Sequence, residues 1–227
     1  MFPQSVLAAL DAVAKTLTST GVIVMCGFPA SGKSTAAAWI ASQVGASVLD
    51  KDRYAPRLEQ DVMRRLTGDP HDRDSDLYRS VISPGIYDGL IRTGLGIAGR
   101  HRVVLDAPFL SVIRQAAVAG RSLAHHMRAV AHAPDSLVVQ AIWMDSPTSR
   151  IRERMIARGA AVQAVALVRD HLGEPLPHLH DCMDLLVVRA DELGHHLPGR
   201  PGPLHLRAEA LSSAGNRRSK RRPWQCG

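Results

Sequence analysis

Apolar positions along this chain recur with two different periods, and the switching between them sets out a string of helices and short buried strands. From Pro3 to Leu17, the residues Val6, Leu7, Leu10, Val13, Ala14 and Leu17 fall on one helical face. Thr18 to Gly21 reads as a turn. Gly21 to Cys26 (GVIVMC) is continuously apolar, which predicts a strand buried on both faces. An Ala-rich helix follows, to about Val44, and a second strand covers Ala46 to Leu49 and ends at Asp50. Tyr54 to Leu66 predicts a helix with its charges on one side. Thr67 to Asp76 carries Gly68, Pro70 and four aspartates and predicts a loop. Leu77 to Ala98 predicts a helix kinked near Ser83-Pro84-Gly85. Val103 to Leu105, ending at Asp106, is the third strand, Leu137 to Met144 the fourth and Asp184 to Val188 the fifth. Helices are expected over about Ser111 to Ala131, Pro147 to Arg158 and Val162 to His171. Strands alternating with helices of about ten residues or more imply βαβ units with right-handed crossovers. The expected fold class is α/β, with a mostly parallel sheet flanked by helices. No internal repeat is visible.

Beyond Ala190 the periodicity disappears and Pro, Gly, Ser and Arg accumulate, which divides the chain into a domain over 1–190 and a tail over 191–227. The whole chain has 227 residues, enough for one such domain, with 45% hydrophobic and 22% charged residues and a mean hydropathy of -0.05. Aromatics are only 4%, so the core must be built mainly from Ala, Val, Leu and Ile. The net charge of +7 belongs mostly to the tail, since residues 189–227 hold eight Lys/Arg against three Asp/Glu. Arg217, Arg218, Lys220, Arg221 and Arg222 cluster there. Such a run suits nucleic acid or another polyanion, but a solvated chain end is the favoured reading. The nearly uncharged stretches are too short for a membrane span, and the start MFPQSVLAALDAVAK lacks a basic n-region and carries Asp11. The three cysteines, Cys26, Cys182 and Cys226, form no CxxC pair, so a cytoplasmic location is expected.

The chemistry is carried by Gly27-Phe28-Pro29-Ala30-Ser31-Gly32-Lys33-Ser34, which matches G-x4-G-K-[ST] between a predicted strand and a predicted helix. Gly27 and Gly32 permit backbone angles that turn successive amides inward around a phosphate. The helix N-terminus adds unsatisfied N–H groups and partial positive charge. Lys33 suits the β- and γ-phosphates, and the Ser34 hydroxyl suits Mg²⁺. Thr35 places a second hydroxyl nearby, so Gly27 through Thr35 are the expected nucleotide-binding residues. Asp106 at its strand end suits the second metal-associated acid. The only asparagine is Asn216, so no Asn-Lys-x-Asp guanine-reading motif exists, and Ala107 stands where a water-polarising glutamate would serve a motor ATPase. Phosphoryl transfer to a hydroxyl remains.

Four blocks then carry a resemblance, over roughly residues 20 to 160, to the P-loop kinases grouped around polynucleotide 5′-hydroxyl kinase, zeta toxin, gluconate kinase and chloramphenicol phosphotransferase. Within that group the chain resembles the bacterial AAA-family ATPase-like kinases. The blocks are GFPASGKST, VLDKDRY, VVLDAPFLSVIR and RERMIARG. The resemblance implies a P-loop NTPase fold with a small helical lid, and ATP and Mg²⁺ as cofactors. It implies Asp52 as general base on the acceptor hydroxyl, and Arg154 and Arg158 as lid arginines that, with Lys33, meet the transferring phosphoryl group. The polynucleotide kinase also has an arginine three residues after its base, where this chain has Ala55.

The blander alternatives are explicit. Asp50 and Asp52 suit a helix cap as well as a base, with Asp52 the favoured base. Arg150, Arg152, Arg154 and Arg158 also suit a solvated helix face. His178, His180, Asp181 and Cys182 match no zinc spacing. The leading expectation is an ATP-dependent kinase of a small hydroxylated acceptor seated between Asp52, the acidic loop Asp69 to Asp76 and the helix after it. The alternatives are a zeta-toxin-like or nucleic-acid 5′-hydroxyl kinase, and a non-catalytic ATP-binding switch. Deleting residues 191–227 should leave nucleotide affinity unchanged and abolish most salt-sensitive adhesion to polyanions, as binding titrations over a salt series would show.

Overall fold

A computed structural model describes residues 2–17, 19–157 and 185–189. Helix α1 (Gln4–Ala14) leads into strand β1 (Gly21–Cys26), helix α2 (Lys33–Val44) and strand β2 (Ser47–Asp50). Two helices follow, α3 (Lys51–Tyr54) and α4 (Pro56–Thr67), then a π-helical turn (Tyr78–Ile82) that runs directly into α5 (Ser83–Ala98). Strand β3 (Arg102–Asp106), helices α6 (Leu110–Val118) and α7 (Leu123–Ala131), strand β4 (Val139–Asp145), helix α8 (Thr148–Ala157) and strand β5 (Leu185–Arg189) complete the order.

The five strands form one sheet in the order β2-β3-β1-β4-β5, with every pairing parallel. This is the α/β arrangement expected from the alternation of strands and helices. All six residues of β1 are buried, as its unbroken apolar run requires at the centre of a sheet covered on both faces. The period of two sorts them. Val22, Val24 and Cys26 join Val103, Leu105, Ala141 and Trp143 in a core shared with α5, α6, α7 and α8. Ile23 and Met25 join Val104, Ile142 and Met144 in a second core against α1 and α2. Scarce aromatics are concentrated in the first: Phe28 meets Trp143 edge-on at 5.3 Å, and Tyr87 meets Phe109 at 5.4 Å. Methionine adds to the aliphatic core, with Met25, Met63, Met127, Met144 and Met155 all buried. Below the sheet, the Arg102 guanidinium donates to Leu17 O (3.2 Å) and Val44 O (2.7 Å), joining the ends of α1 and α2 to the start of β3.

Three expected helices take a different form. The span expected as one helix over Ser111 to Ala131 is two, because Gly120 turns at φ 61° and Ser122 caps a new helix by accepting from His125 N. The helix expected from Tyr54 begins at Pro56, a residue suited to a first helical turn, and Lys51–Tyr54 is a separate turn. The kink expected near Pro84 is a π turn: Ser83 N donates five residues back, to Tyr78 O. Pro84 has no N–H to continue the usual ladder, and one extra residue per turn accommodates its ring. Strand ends differ from the expected ones by one or two residues. The helix expected over Val162 to His171 lies outside the described residues.

On α7, partial burial and the neighbouring Arg121 hold the His126 imidazole below its ordinary pKa. A depressed folded-state pKa means stability that is complete above the unfolded value of about 6.5 and lost as pH falls through the folded one. Thermal melts from pH 7.5 to 5 should therefore show a decline that His126→Gln lessens; superimposable curves would contradict the assignment.

Candidate functional site

Sites in open parallel sheets lie beyond the carboxyl ends of the strands, where connections leave in opposite directions. Here the connection from β1 leads towards β2 and that from β4 leads towards β5. The segment from Gly27 to Gly32 occupies that end, and α2 begins at Lys33. Its path depends on Gly27, at φ 135°: a Cβ there would stand 2.6 Å from Met144 O of β4, inside any tolerable contact. Ala30 takes a left-handed conformation (φ 62°), and so does Gly32 (φ 103°). Successive peptide groups therefore reverse direction, as a phosphate-cradling loop requires. Phe28, the large side chain of the loop, is buried against Trp143 and anchors it to the core.

Among the described residues, two cations touch the loop. Lys33 Nζ, buried, donates to Phe28 O at 2.7 Å. Arg154, from α8, donates to Ala30 O at 3.1 Å and to Ser146 Oγ at 3.2 Å. Ser146 in turn donates to Ser31 O at 3.1 Å. Ser146 was not evident from the sequence; its position just past the end of β4, beside the loop, is the signal that would have found it. Ser31 Oγ is buried without a hydrogen-bond partner among the described residues, the type of orphaned polar atom that a phosphate oxygen would satisfy.

The acids converge on the same end. Asp50 and Asp106 are partners in register across β2 and β3. Asp106 is buried, and its carboxylate accepts from the Ser34 hydroxyl. Burial pushes its pKa up, with Asp50 and Asp52 adding to the rise and Ser34 and Lys33 opposing it. Magnesium is held by one or two protein oxygens together with substrate phosphates, and Ser34 with Asp106 is a donor set of that kind. Asp50 caps α3 by accepting from Asp52 N at 2.9 Å. Asp52 has no such duty: its side chain is 87% exposed, and its carboxylate lies 3.8 Å from Lys51 Nζ.

Lys33, Ser34, Asp106, Asp50, Asp52 and Arg154 thus gather around one end of the sheet. Pro29, Ser34 and Thr35 are exposed there. Arg150 pairs with Glu153 at 3.0 Å and Arg152 is exposed, so both belong to a solvated face. Arg158 and the His178–Cys182 group lie outside the described residues. In the acidic loop, two of the four aspartates bond the backbone. Asp69 accepts from His71 N, and Asp72 accepts from Asp74 N and Ser75 N, so these carboxylates shape turns. What the loop sends inward is Arg73, to a buried Glu59. Glu59 was also missed, although its i, i+4 spacing to Met63 marks it as sharing an apolar face.

An AAA domain family model matches residues 22–174. The chain belongs to the AAA domain family. That assignment agrees with the P-loop kinase group which the four sequence blocks resemble. Among solved structures, a gluconokinase from Sinorhizobium meliloti 1021 is 21% identical with a TM-score of 0.47, the match covering 78% of this chain and 86% of that one. A sugar kinase from Janibacter sp. HTCC2649 is 19% identical with a TM-score of 0.46, covering 75% of this chain and 86% of that one. No curated protein matches.

Gly27→Ala should shift the loop, lowering stability by about 1–3 kcal/mol from backbone strain and weakening nucleotide binding at least tenfold, about 1.4 kcal/mol. Gly96→Ala, in open space on α5, is the control. Melts and ATP-analogue titrations check both; unchanged binding in Gly27→Ala would contradict the cradle.

Proposed function

We propose that the protein is an ATP-dependent kinase that transfers the γ-phosphate to a hydroxyl of a small-molecule acceptor. The observation that carries this reading is the convergence, past the end of β1, of a P-loop, a buried Asp106 beside the exposed Ser34 hydroxyl, and an exposed carboxylate with no structural task, Asp52. The membership of the chain in the AAA domain family supports it.

On this reading the loop amides of residues 27–35 hold the triphosphate, with Ser31 Oγ contributing a hydroxyl. Ser34 and Asp106 hold Mg²⁺, which when bound would neutralise charge between the β- and γ-phosphates. Lys33 and Arg154 supply positive charge where it develops on the transferring group. The resemblance adds Arg158 as a second lid arginine beside Arg154. Asp52 accepts the proton of the acceptor hydroxyl as the new bond to phosphorus forms. The division of labour between the neighbouring acids follows from their surroundings. Asp50 is engaged by the helix it caps and by Arg53 at 3.7 Å, whereas the Asp52 side chain is exposed and caps nothing.

A non-catalytic switch would bind ATP equally well, so the base decides between the two. Asp52→Asn should leave ATP affinity unchanged and lower transfer by about two to four powers of ten. Asp50→Asn should stay within a few-fold of wild type, because asparagine also caps. Labelled γ-phosphate transfer to pooled hydroxylated metabolites is the measurement. Full activity in Asp52→Asn, or an equal loss in Asp50→Asn, would overturn the assignment, and tight ATP binding without any transfer by wild type would support the switch.

A further inference from the structure

Beside the proposed base lies a buried polar cluster for which the phosphoryl-transfer scheme has no use. One oxygen of Glu59 serves three donors: Tyr78 Oη at 2.6 Å, Arg73 Nε at 3.0 Å and Lys51 Nζ at 3.4 Å. Arg73 is already engaged on several sides. Its Nη1 donates to Pro70 O (3.1 Å) and Asp72 O (3.0 Å), and its guanidinium lies 4.9 Å from the centre of the Tyr78 ring. The short bonds therefore go to Tyr78 and Arg73, which together match the single charge of Glu59.

Lys51 is the remaining member. Its side chain is 12% exposed, so its ammonium has lost most of its water. Of its three donor hydrogens, Tyr78 Oη takes one at 3.2 Å, and the already shared Glu59 oxygen takes a second at long range. The nearest other carboxylate, Asp52, stands at 3.8 Å, outside hydrogen-bond distance. The buried part of the cluster thus has two cations and one carboxylate. The two ion-pair partners of Lys51 are a Glu59 oxygen shared with other donors and an exposed Asp52, and a desolvated ammonium with a hydrogen-bond donor still to give suits an anion.

Its position decides which anion. Lys51 starts α3 between Asp50 and Asp52, at the end of the sheet where the acceptor is placed on the kinase reading. The buried Tyr87 nearby feels the charges of both Lys51 and Asp52. We infer that Lys51, held by Glu59, Tyr78 and Arg73, recognises an acidic group on the acceptor, so that the substrate is a hydroxylated acid whose oxyanion lies beside the reacting hydroxyl. The inference rests on the kinase reading and narrows it. Carboxylate and phosphate share the chemistry.

The test offers the full-length protein Mg²⁺-ATP with three matched sets of acceptors: neutral polyols, polyhydroxy carboxylic acids and polyol phosphates. A charge-assisted hydrogen bond should give wild type about a ten- to hundredfold higher kcat/KM for one acidic set over the polyols. The set that wins identifies the oxyanion. Lys51→Met should raise KM for that set by the same factor while leaving kcat, the KM for ATP and the rates with neutral polyols unaltered. Lys51→Arg should keep the preference. Equal use of neutral and acidic acceptors by wild type would overturn the inference and leave the kinase reading standing. An equal fall for all acceptors in Lys51→Met would also overturn it, since that pattern belongs to a purely structural lysine. No transfer to any set would overturn the kinase reading and this inference with it.

Discussion

The close passage of the chain at Gly27 past the carbonyl of Met144 is the constraint from which the site follows. β1 is buried from end to end, so its last residue delivers the chain into a space already bounded by β4. Only a residue without Cβ can turn there, at an angle that other residues avoid. Once the turn is made, Phe28 drops into the core, Ala30 and Gly32 reverse the backbone, and α2 starts with its N-terminus at the sheet end. The loop's geometry is therefore a consequence of sheet packing, and local flexibility has little part in it. Ser146 reinforces this from the other side, bonding to Ser31 O and receiving Arg154.

Electrostatics at that end are arranged against the stability of the ligand-free chain. Asp106 is buried with its pKa pushed up, Asp50 and Asp52 add negative charge, and Ser31 Oγ lacks a partner among the described residues. Each of these features costs folding free energy. Each is also what a hydrated divalent cation and a polyphosphate would relieve. A structure selected for stability alone would have neutralised the acid and paired the hydroxyl. Such local conflicts mark functional sites.

The legible parts of the fold were those set by local chemistry. GVIVMC read as a strand buried on both faces, and G-x4-G-K-S between a strand and a helix as a phosphate loop. The break at Gly120 and Ser122 was also written locally, as a left-handed glycine and a capping serine, but the apolar periodicity on either side masked it. Harder to see were contacts that join distant segments. Nothing near Glu59 announces that it meets Tyr78 and Arg73, because the three come together only after α4, the loop and the π turn have folded against one another. The aspartates of that loop looked like a site because they are many. Asp69 and Asp72 bond backbone N–H groups and build turns, while the single arginine among them turns inward. Charge count along a loop is a poor guide to what it presents, since short acidic side chains so often bond their own backbone.

The two cations of the site share one arrangement. Lys33 donates to the carbonyl of Phe28 and Arg154 to the carbonyl of Ala30, both within the loop itself. A carbonyl is a neutral acceptor, and a phosphate oxygen is a charged one that makes the stronger bond. On the kinase reading, nucleotide binding exchanges one for the other at each cation, over a short distance and from a side chain already desolvated and oriented. The loop carbonyls then act as placeholders that keep the charges pointed inward. Because Arg154 belongs to α8, on that reading the same exchange would also change how this helix is tied to the loop.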